Sequence, residues 1–218
     1  MLEGPIAVVG GTGKLGTAIA RRLAKAGRKV IIGSRAVQSA MDAATHVGFG
    51  TTGLSNADAA AAGSIVLVTV PFAAQEATLA EIAPHVSGKL VVDTTVPLVP
   101  PKVMRVQLPP EGSAAQRAQR LLGPGVTVVS AFHNVAAHKL ATDQDIDCDV
   151  LVFGDDKDAR AQVIALVELT GLCGIHGGAL ANSAAAEALT SVLIFINRTY
   201  QVDGAGLLIS GQLGWPAL

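Results

Sequence analysis

The chain of 218 residues has a formal net charge of only −1 and contains two cysteines and one tyrosine. A charge so close to balance gives no electrostatic reason to expect nucleic acid or a membrane surface as a partner. The cysteines, Cys148 and Cys173, are expected to be buried, reduced thiols of a cytosolic protein. None of these shortages favours a secreted or nucleic-acid-binding protein.

Long apolar runs and grouped metal ligands are missing as well. No run of 18 apolar residues long enough to span a bilayer stands out, and the first residues lack a charged segment followed by an apolar core. We therefore expect a cytoplasmic protein. The five histidines are scattered, without a helical pair or a cysteine at ligand spacing, so no metal site is expected.

Two enzyme mechanisms lack the residues that they require. Gly10, Gly13 and Gly16 fit the glycine spacing of short-chain dehydrogenases, which need a tyrosine with a lysine four residues later. Tyr200 is the only tyrosine, and position 204 is glycine. A nucleophile-elbow sequence Gly-x-Ser-x-Gly is also absent from the chain. The glycines therefore serve a different chemistry.

What the chain does have is a glycine-rich turn in an informative place. The apolar run at 6–9 leads into Gly-Gly-Thr-Gly-Lys-Leu-Gly at 10–16, and a helix with an apolar face follows. Glycine lets a backbone approach a pyrophosphate closely, and the N-terminus of a helix favours that anion. A second strand is predicted at 29–32, directly after this helix, and the strand–turn–helix–strand order supports a dinucleotide site.

The second strand leads into Gly33, Ser34 and Arg35, where an NAD-preferring site usually places Asp or Glu. A hydroxyl and a guanidinium bind the extra phosphate of NADP, whereas a carboxylate repels it. The sequence therefore predicts NADP, with Ser34 and Arg35 as its phosphate ligands. The alternative is that Arg35 is only an exposed residue at the start of the next helix.

Strands and helices continue to alternate along the chain, which is half hydrophobic. This pattern predicts an α/β fold, a Rossmann-type doubly wound parallel sheet with a small C-terminal α/β addition. We expect an NADP-binding domain at 1–142 and a smaller domain at 143–218. Further strands are predicted at 64–70, 89–93, 126–130, 149–153 and 172–176. Helices are predicted at 73–85, 113–122, 156–169 and 182–198, with an irregular connection at 97–110.

The last predicted helix, 182–198, is apolar nearly all round, with Glu187, Thr190 and Ser191 as its polar side chains between 184 and 196. Such a helix must be covered by protein. Either a second copy of the chain covers it, giving a homodimer, or it is the central core helix of one chain.

The chain resembles the coenzyme F420-dependent NADP oxidoreductases along essentially its whole length. The most specific part of the resemblance is Gly-Ser-Ala-Ala-Gln at 112–116, followed by Ala-Phe-His-Asn-Val at 131–135. It also covers the segments at 9–16, 32–35, 70–71, 148–150, 154–156, 187–190 and 204–206. The first of these motifs is common to many dehydrogenases.

The resemblance implies hydride transfer between C4 of the nicotinamide and C5 of the deazaflavin ring of F420, which needs no acid–base residue of the protein. It assigns the pyrophosphate to Thr12, Gly13, Lys14 and Leu15, and the NADP groove and its nicotinamide end to Phe72, Leu98 and Ala137. It assigns the border of the deazaflavin pocket to His133, Asn134 and Leu207. The smaller domain would contribute to this pocket and to the dimer contact.

One position departs from the family pattern. Four residues after Arg35 the family usually carries a second cation, and this chain has Ser39. NADP preference is therefore expected to be weaker than in relatives. Two alternatives are a pyrroline-carboxylate reductase-like imine or ketone reductase and a non-catalytic NADP-sensing protein.

Overall fold

The structure is a computed structural model that describes residues 3–211, 213 and 214. Its strands are β1 (Ile6–Val9), β2 (Val30–Ser34), β3 (Thr52–Ser55), β4 (Ile65–Val68), β5 (Leu90–Asp93), β6 (Thr127–Ser130), β7 (Asp149–Gly154) and β8 (Cys173–Gly178). They form one eight-stranded sheet in the order β3-β2-β1-β4-β5-β6-β7-β8. Every neighbouring pair is parallel except β6 and β7, which are antiparallel.

Helices connect these strands, as parallel pairing requires. They are α1 (Lys14–Lys25), α2 (Val37–Val47), α3 (Asn56–Ala62), α4 (Phe72–Ile82), α5 (Ala114–Leu122), α6 (Ala137–Leu140), α7 (Lys157–Leu169) and α8 (Ser183–Tyr200). Short 3-10 turns follow α4 and precede α8.

The predicted doubly wound α/β fold is confirmed. The sheet interior is apolar on both faces, because alternate residues of one strand join different clusters. Val8 packs in the cluster that contains α1 and α7, and Val9 in the cluster of α3, α4 and α5; both are fully buried. The strand order reverses beside β1, and the crevice at such a point is where ligands of this fold class bind.

Several features were not predicted from the sequence, among them the short helix α6. Strand β3 and helix α3 lie in a segment to which we assigned no element, and β7 runs against its neighbour β6. The antiparallel pairing has a consequence for the site. Asp149, the first residue of β7, lies beyond the carboxyl end of β6. It is therefore on the same edge of the sheet as the carboxyl ends of β1 and β4.

Helix α8 is covered on one side only. Ser183, Glu187 and Ser191 are buried, whereas Val192 is 41% and Phe195 52% exposed. The helix is therefore not the central core helix of this chain. That interpretation was one of the two that its apolar sequence allowed.

By length and composition alone, Leu180–Tyr200 is long and apolar enough to cross a membrane, so the expectation of no such stretch was wrong. A helix that packs in the interior of a soluble protein passes the same test, and α8 packs against α5 and β7. Its buried carboxyl group at Glu187 also binds polar groups of this chain.

The expectation that both cysteines are buried was wrong for one of them. Cys148 is buried and Cys173 is exposed at the start of the edge strand β8, and both are free thiols. Burial raises the pKa of the Cys148 thiol, which keeps it protonated at neutral pH.

Candidate cofactor-binding site

A cavity of about 180 Å³ opens at the carboxyl ends of β1, β2 and β4, where the strand order reverses. It contains four of the residues predicted from the sequence, Thr12, Gly13, Ser34 and Arg35. The other residues that line it are Gly10, Asn56, Thr69, Val70, Pro71, Ala74 and Thr78. The fold therefore brings the glycine-rich turn and the end of β2 to one cleft.

The glycine-rich turn is held against the sheet by its own backbone. Gly10 has φ +67°, and the Gly11 N–H donates to the Gly33 carbonyl at 3.1 Å. A Cβ on Gly11 would lie 2.5 Å from the Val8 carbonyl oxygen, and one on Gly16 would lie 2.8 Å from the Gly11 Cα. Side chains at these two positions would push the turn away from the sheet, so the glycines are needed for packing.

Gly13 differs from its neighbours, because the space around it is open. A Cβ built there would meet no atom closer than 3.8 Å. Gly13 is also the N-cap residue of α1, and it has no side chain with which to cap the helix. The turn can therefore accept an anion at close range, with the first N–H groups of α1 directed at it. Lys14 and Leu15 are the first two residues of this helix.

Asn56 is a cleft residue that the sequence reasoning missed. Its side chain is 2% exposed, its Oδ1 accepts the Gly10 N–H at 3.2 Å, and its Nδ2 donates to Glu81 Oε2 at 3.1 Å. The amide thus fixes the first residue of the glycine-rich turn. The cap sequence Ser-Asn-x-Asp at 55–58 was the signal available, since Ser55 accepts the Asp58 N–H at 3.1 Å and starts α3.

Ser34 and Arg35 line the same cleft as the glycine-rich turn. Ser34 is buried as the last residue of β2, and Arg35 is exposed. No ion pair of Arg35 is found among residues 3–211, 213 and 214. Its guanidinium is therefore available to an anion. Ser39 is exposed on α2 and brings no charge.

The residues predicted for the NADP groove, Phe72 and Leu98, and for its nicotinamide end, Ala137, lie in three separate parts of the chain. Phe72 begins α4, and the Arg117 guanidinium lies 5.1 Å from its ring centre. The Phe72 side chain lines a neighbouring groove, while Val70 and Pro71 line the dinucleotide cleft itself. Leu98 is half-buried after β5, and Ala137 begins α6, which packs against α1.

A second group of predicted residues follows the carboxyl end of β6. Phe132 is held at φ +66°, a left-handed conformation that is rare for a bulky residue and is often found at functional sites. His133 and Asn134 come next and are 6% and 7% exposed. Burial lowers the pKa of His133 to about 4, so its ring is neutral at physiological pH. Its Nε2 is buried and has no hydrogen-bond partner among the described residues.

Helix α8 and the C-terminal segment hold this second group in place. Asn134 Nδ2 donates to the Ala186 carbonyl at 2.9 Å, and Thr190 Oγ1 donates to the His133 carbonyl at 2.9 Å. The Leu207 carbonyl accepts the Asp149 N–H at 2.7 Å. A Cβ on the preceding Gly206 would lie 3.8 Å from the Asn134 carbonyl oxygen. The fold therefore brings the segment of Leu207 beside Asn134.

Comparison with known proteins agrees with this arrangement. The family model described as NADP oxidoreductase, coenzyme F420-dependent, matches residues 5–97. The F420-dependent NADP reductase of Methanothermobacter thermautotrophicus is 39% identical over 94% of this chain and 94% of its own. This chain belongs to the F420-dependent NADP reductase family. The resemblance noted from the sequence is thereby confirmed.

A second sequence relative and one solved structure also match nearly the whole chain. The F420-dependent NADP reductase of Methanocaldococcus jannaschii is 38% identical over 94% of this chain and 97% of its own. The crystal structure of a protein from Arthrobacter sp. FB24, assigned as an F420-dependent NADP reductase, has a TM-score of 0.84 at 26% identity. It covers 96% of this chain and 100% of that chain. The family likeness thus extends beyond the dinucleotide-binding half.

Proposed function

We propose that this protein transfers a hydride reversibly between NADP(H) and the deazaflavin coenzyme F420. One observation carries the proposal. In this family member, the dinucleotide cleft follows β1, β2 and β4, and His133 and Asn134 follow β6, a parallel strand of the same sheet separated from β4 by β5 alone. Two bound rings can therefore meet at the carboxyl edge of that sheet.

The dinucleotide side fits NADP(H). The open space at Gly13 admits a pyrophosphate close to the backbone, and Thr12, Lys14 and Leu15 continue this binding turn. Ser34 and Arg35 are proposed to bind the 2′-phosphate through a hydroxyl and a charge-assisted hydrogen bond. Phe72 and Leu98 are proposed to line the NADP groove, and Ala137 is proposed to lie close to its nicotinamide end.

The second group fits a flat heterocycle with polar edges. The buried Nε2 of His133 lacks a partner in the described part of the chain, and a buried polar atom of this kind is costly unless a ligand or water satisfies it. We propose that His133, Asn134 and Leu207 border the deazaflavin ring. A neutral imidazole can bind the ring edge without placing a charge beside it.

The chemistry of the reaction belongs to the two coenzymes. Hydride passes between C4 of the nicotinamide and C5 of the deazaflavin when both are bound. The protein's contribution is to hold the two rings at reacting distance and to exclude water. No residue of the chain is assigned a proton-transfer or nucleophilic role.

The setting of this activity is also part of the proposal. We propose a cytoplasmic homodimer, with an NADP-binding domain at 1–142 and a smaller part at 143–218 that contributes to the F420 pocket and the dimer contact. The uncovered face of α8, with Val192 and Phe195 exposed, supports the dimer. A net charge of −1 supports small molecules as partners in place of nucleic acid or a membrane.

A direct assay tests the activity. Purified protein is mixed with NADPH and F420, and loss of the deazaflavin absorbance band is followed, with NADH in place of NADPH as the matched control. We expect rapid loss with NADPH and slower loss with NADH. An enzyme that leaves F420 unchanged but reduces a cyclic imine with NADPH would be an imine reductase. One that binds NADPH and reduces neither would be a sensing protein.

A further inference from the structure

Glu187 is a fully buried carboxyl group that the proposed reaction does not use. It lies in the first turns of α8 and is 1% exposed. Its oxygens accept two backbone N–H groups, from Ala114 to Oε2 at 2.6 Å and from Ala115 to Oε1 at 3.1 Å. Burying a carboxyl group is costly, so this placement needs an explanation.

The two N–H groups are the first two of helix α5. The third, from Gln116, donates to the N-cap hydroxyl of Ser113 at 3.0 Å. Two of these three N–H groups of α5 are therefore capped from a different helix, more than 70 residues further along the chain. The Ser183 and Ser113 hydroxyl oxygens lie 2.9 Å apart and add a second contact at the same junction.

The junction continues to the end of β5. Gln75 Nε2 donates to the Ala114 carbonyl at 3.0 Å and to Asp93 Oδ2 at 2.6 Å. Asp93 is the last residue of β5, which lies next to β4 of the dinucleotide cleft. Glu187 is thus connected, through α5 and Gln75, to the dinucleotide side of the sheet.

The same turns of α8 hold the second group. Ala186, the residue before Glu187, accepts from Asn134, and Thr190, one turn later, donates to the His133 carbonyl. Movement of this part of α8 relative to α5 would therefore shift His133 and Asn134 relative to β5. The anchor at Glu187 fixes that relation.

We propose that Glu187 is a positioning residue that holds the F420-side residues His133 and Asn134 in register with the dinucleotide side. The inference rests on the proposed function, because it assigns these two residues to the F420 pocket. Glu187 acts through α5 and α8 and does not touch either coenzyme.

The first test compares Glu187→Gln with wild type in the F420 assay. An amide has one acceptor oxygen, so one of the two α5 N–H groups loses its partner and faces an N–H donor. We expect the F420 Michaelis constant to rise about tenfold, the effect of losing one buried hydrogen bond. The NADPH dissociation constant, measured by fluorescence without F420, should stay within about twofold, because its cleft is built from other elements. Glu168→Gln, an exposed glutamate on α7, is the matched control.

The second test uses hydrogen–deuterium exchange and needs no activity. In Glu187→Gln, amide protection should fall at 114–115 and also at 133–135, while α1 stays protected. Ser183→Ala removes the contact with Ser113 at the same junction and keeps the Glu187 carboxyl group. It should show the same pattern more weakly and serves if Glu187→Gln does not fold.

The two tests separate this inference from the proposed function. Wild type that fails to reduce F420 contradicts the function, and the exchange pattern then still decides the role of Glu187. Equal losses for both coenzymes, no loss for either, or exchange changes confined to 114–115 would make Glu187 a purely structural cap and overturn the inference.

Discussion

At the scale of single residues, we propose that Arg35 selects NADP(H) over NAD(H). Arg35→Ala should weaken NADPH binding by roughly 1.5–3 kcal/mol, the contribution of a charge-assisted hydrogen bond. This corresponds to about ten- to a hundredfold in the Michaelis constant if that constant follows affinity. NADH lacks the phosphate, so its kinetics should change little. Steady-state assays with both nucleotides check this.

Two comparisons sharpen that experiment. Arg105→Ala removes an exposed arginine outside the cleft and should affect neither nucleotide. Ser39→Arg supplies the cation that the family pattern places one turn after Arg35, and it should tighten NADPH. Equal losses for NADPH and NADH in Arg35→Ala would mean that Arg35 does not bind the 2′-phosphate.

Asn56 should affect NADPH and NADH equally, in contrast to Arg35. Asn56→Ala leaves the Gly10 N–H without its acceptor and loosens the turn that both nucleotides use. The Michaelis constants of NADPH and NADH should therefore rise by a similar factor, about tenfold. Glu81→Gln keeps an acceptor for the Asn56 amide and should change both by less than about twofold. A selective loss of NADPH in Asn56→Ala would refute this role.

His133 makes stability depend on pH. Its pKa falls from the ordinary 6.5 to about 4 on burial, so the unfolded chain binds the proton first. The folded state keeps His133 neutral, so its full stability is present above about pH 6.5. Stability is lost as the pH falls from there toward 4, because the unfolded chain is protonated first. His133→Gln has no group that titrates at this position. Its melting temperature should therefore fall less than that of wild type between pH 7 and 4.5. The exposed His85 provides the control variant His85→Gln, which should behave like wild type.

At the scale of secondary-structure elements, β3 shows why part of the fold could not be predicted from the sequence. The strand reads Thr-Gly-Leu-Ser, which has neither alternation nor an apolar run. Its glycine is required by packing, because a Cβ on Gly53 would lie 2.4 Å from the Ala40 carbonyl carbon in α2. Strands β1, β2 and β4 begin with or consist of apolar runs, which carry their own signal, and they were predicted.

This contact gives a prediction for β3. Gly53→Ala should lower the free energy of unfolding by about 1–3 kcal/mol, since α2 must move to admit the methyl group. Gly125→Ala is the matched control, because the nearest atom to a Cβ there is 3.8 Å away. Its effect should stay within about 0.5 kcal/mol. Urea denaturation measures both, and equal values would show that α2 and β3 are not in close contact.

At the scale of the whole molecule, the uncovered face of α8 predicts a homodimer. Val192 and Phe195 are exposed on a helix whose other side is buried in its own chain. Twofold pairing would bury this face against its copy. In sedimentation at micromolar concentration, wild type should be a dimer and Phe195→Glu a folded monomer that still binds NADPH.

The control for that experiment is Leu121→Glu, which places the same charge at an exposed apolar position on α5 and should leave the dimer intact. A wild-type protein that sediments as a folded monomer would contradict the dimer. Persistence of the dimer in Phe195→Glu would place the contact elsewhere.

The sequence by itself determined the α/β class, the dinucleotide cleft and the family, because these depend on local patterns. An apolar strand, a glycine turn and a helix are contiguous in the chain, and Ser34 and Arg35 follow the next strand directly. Only the tertiary structure decided which distant residues meet. The antiparallel β7 brings the segment of Leu207 to Asn134, and α8 brings Glu187 to the first turn of α5. Such contacts depend on how elements pack in space, and no local pattern in the chain encodes them.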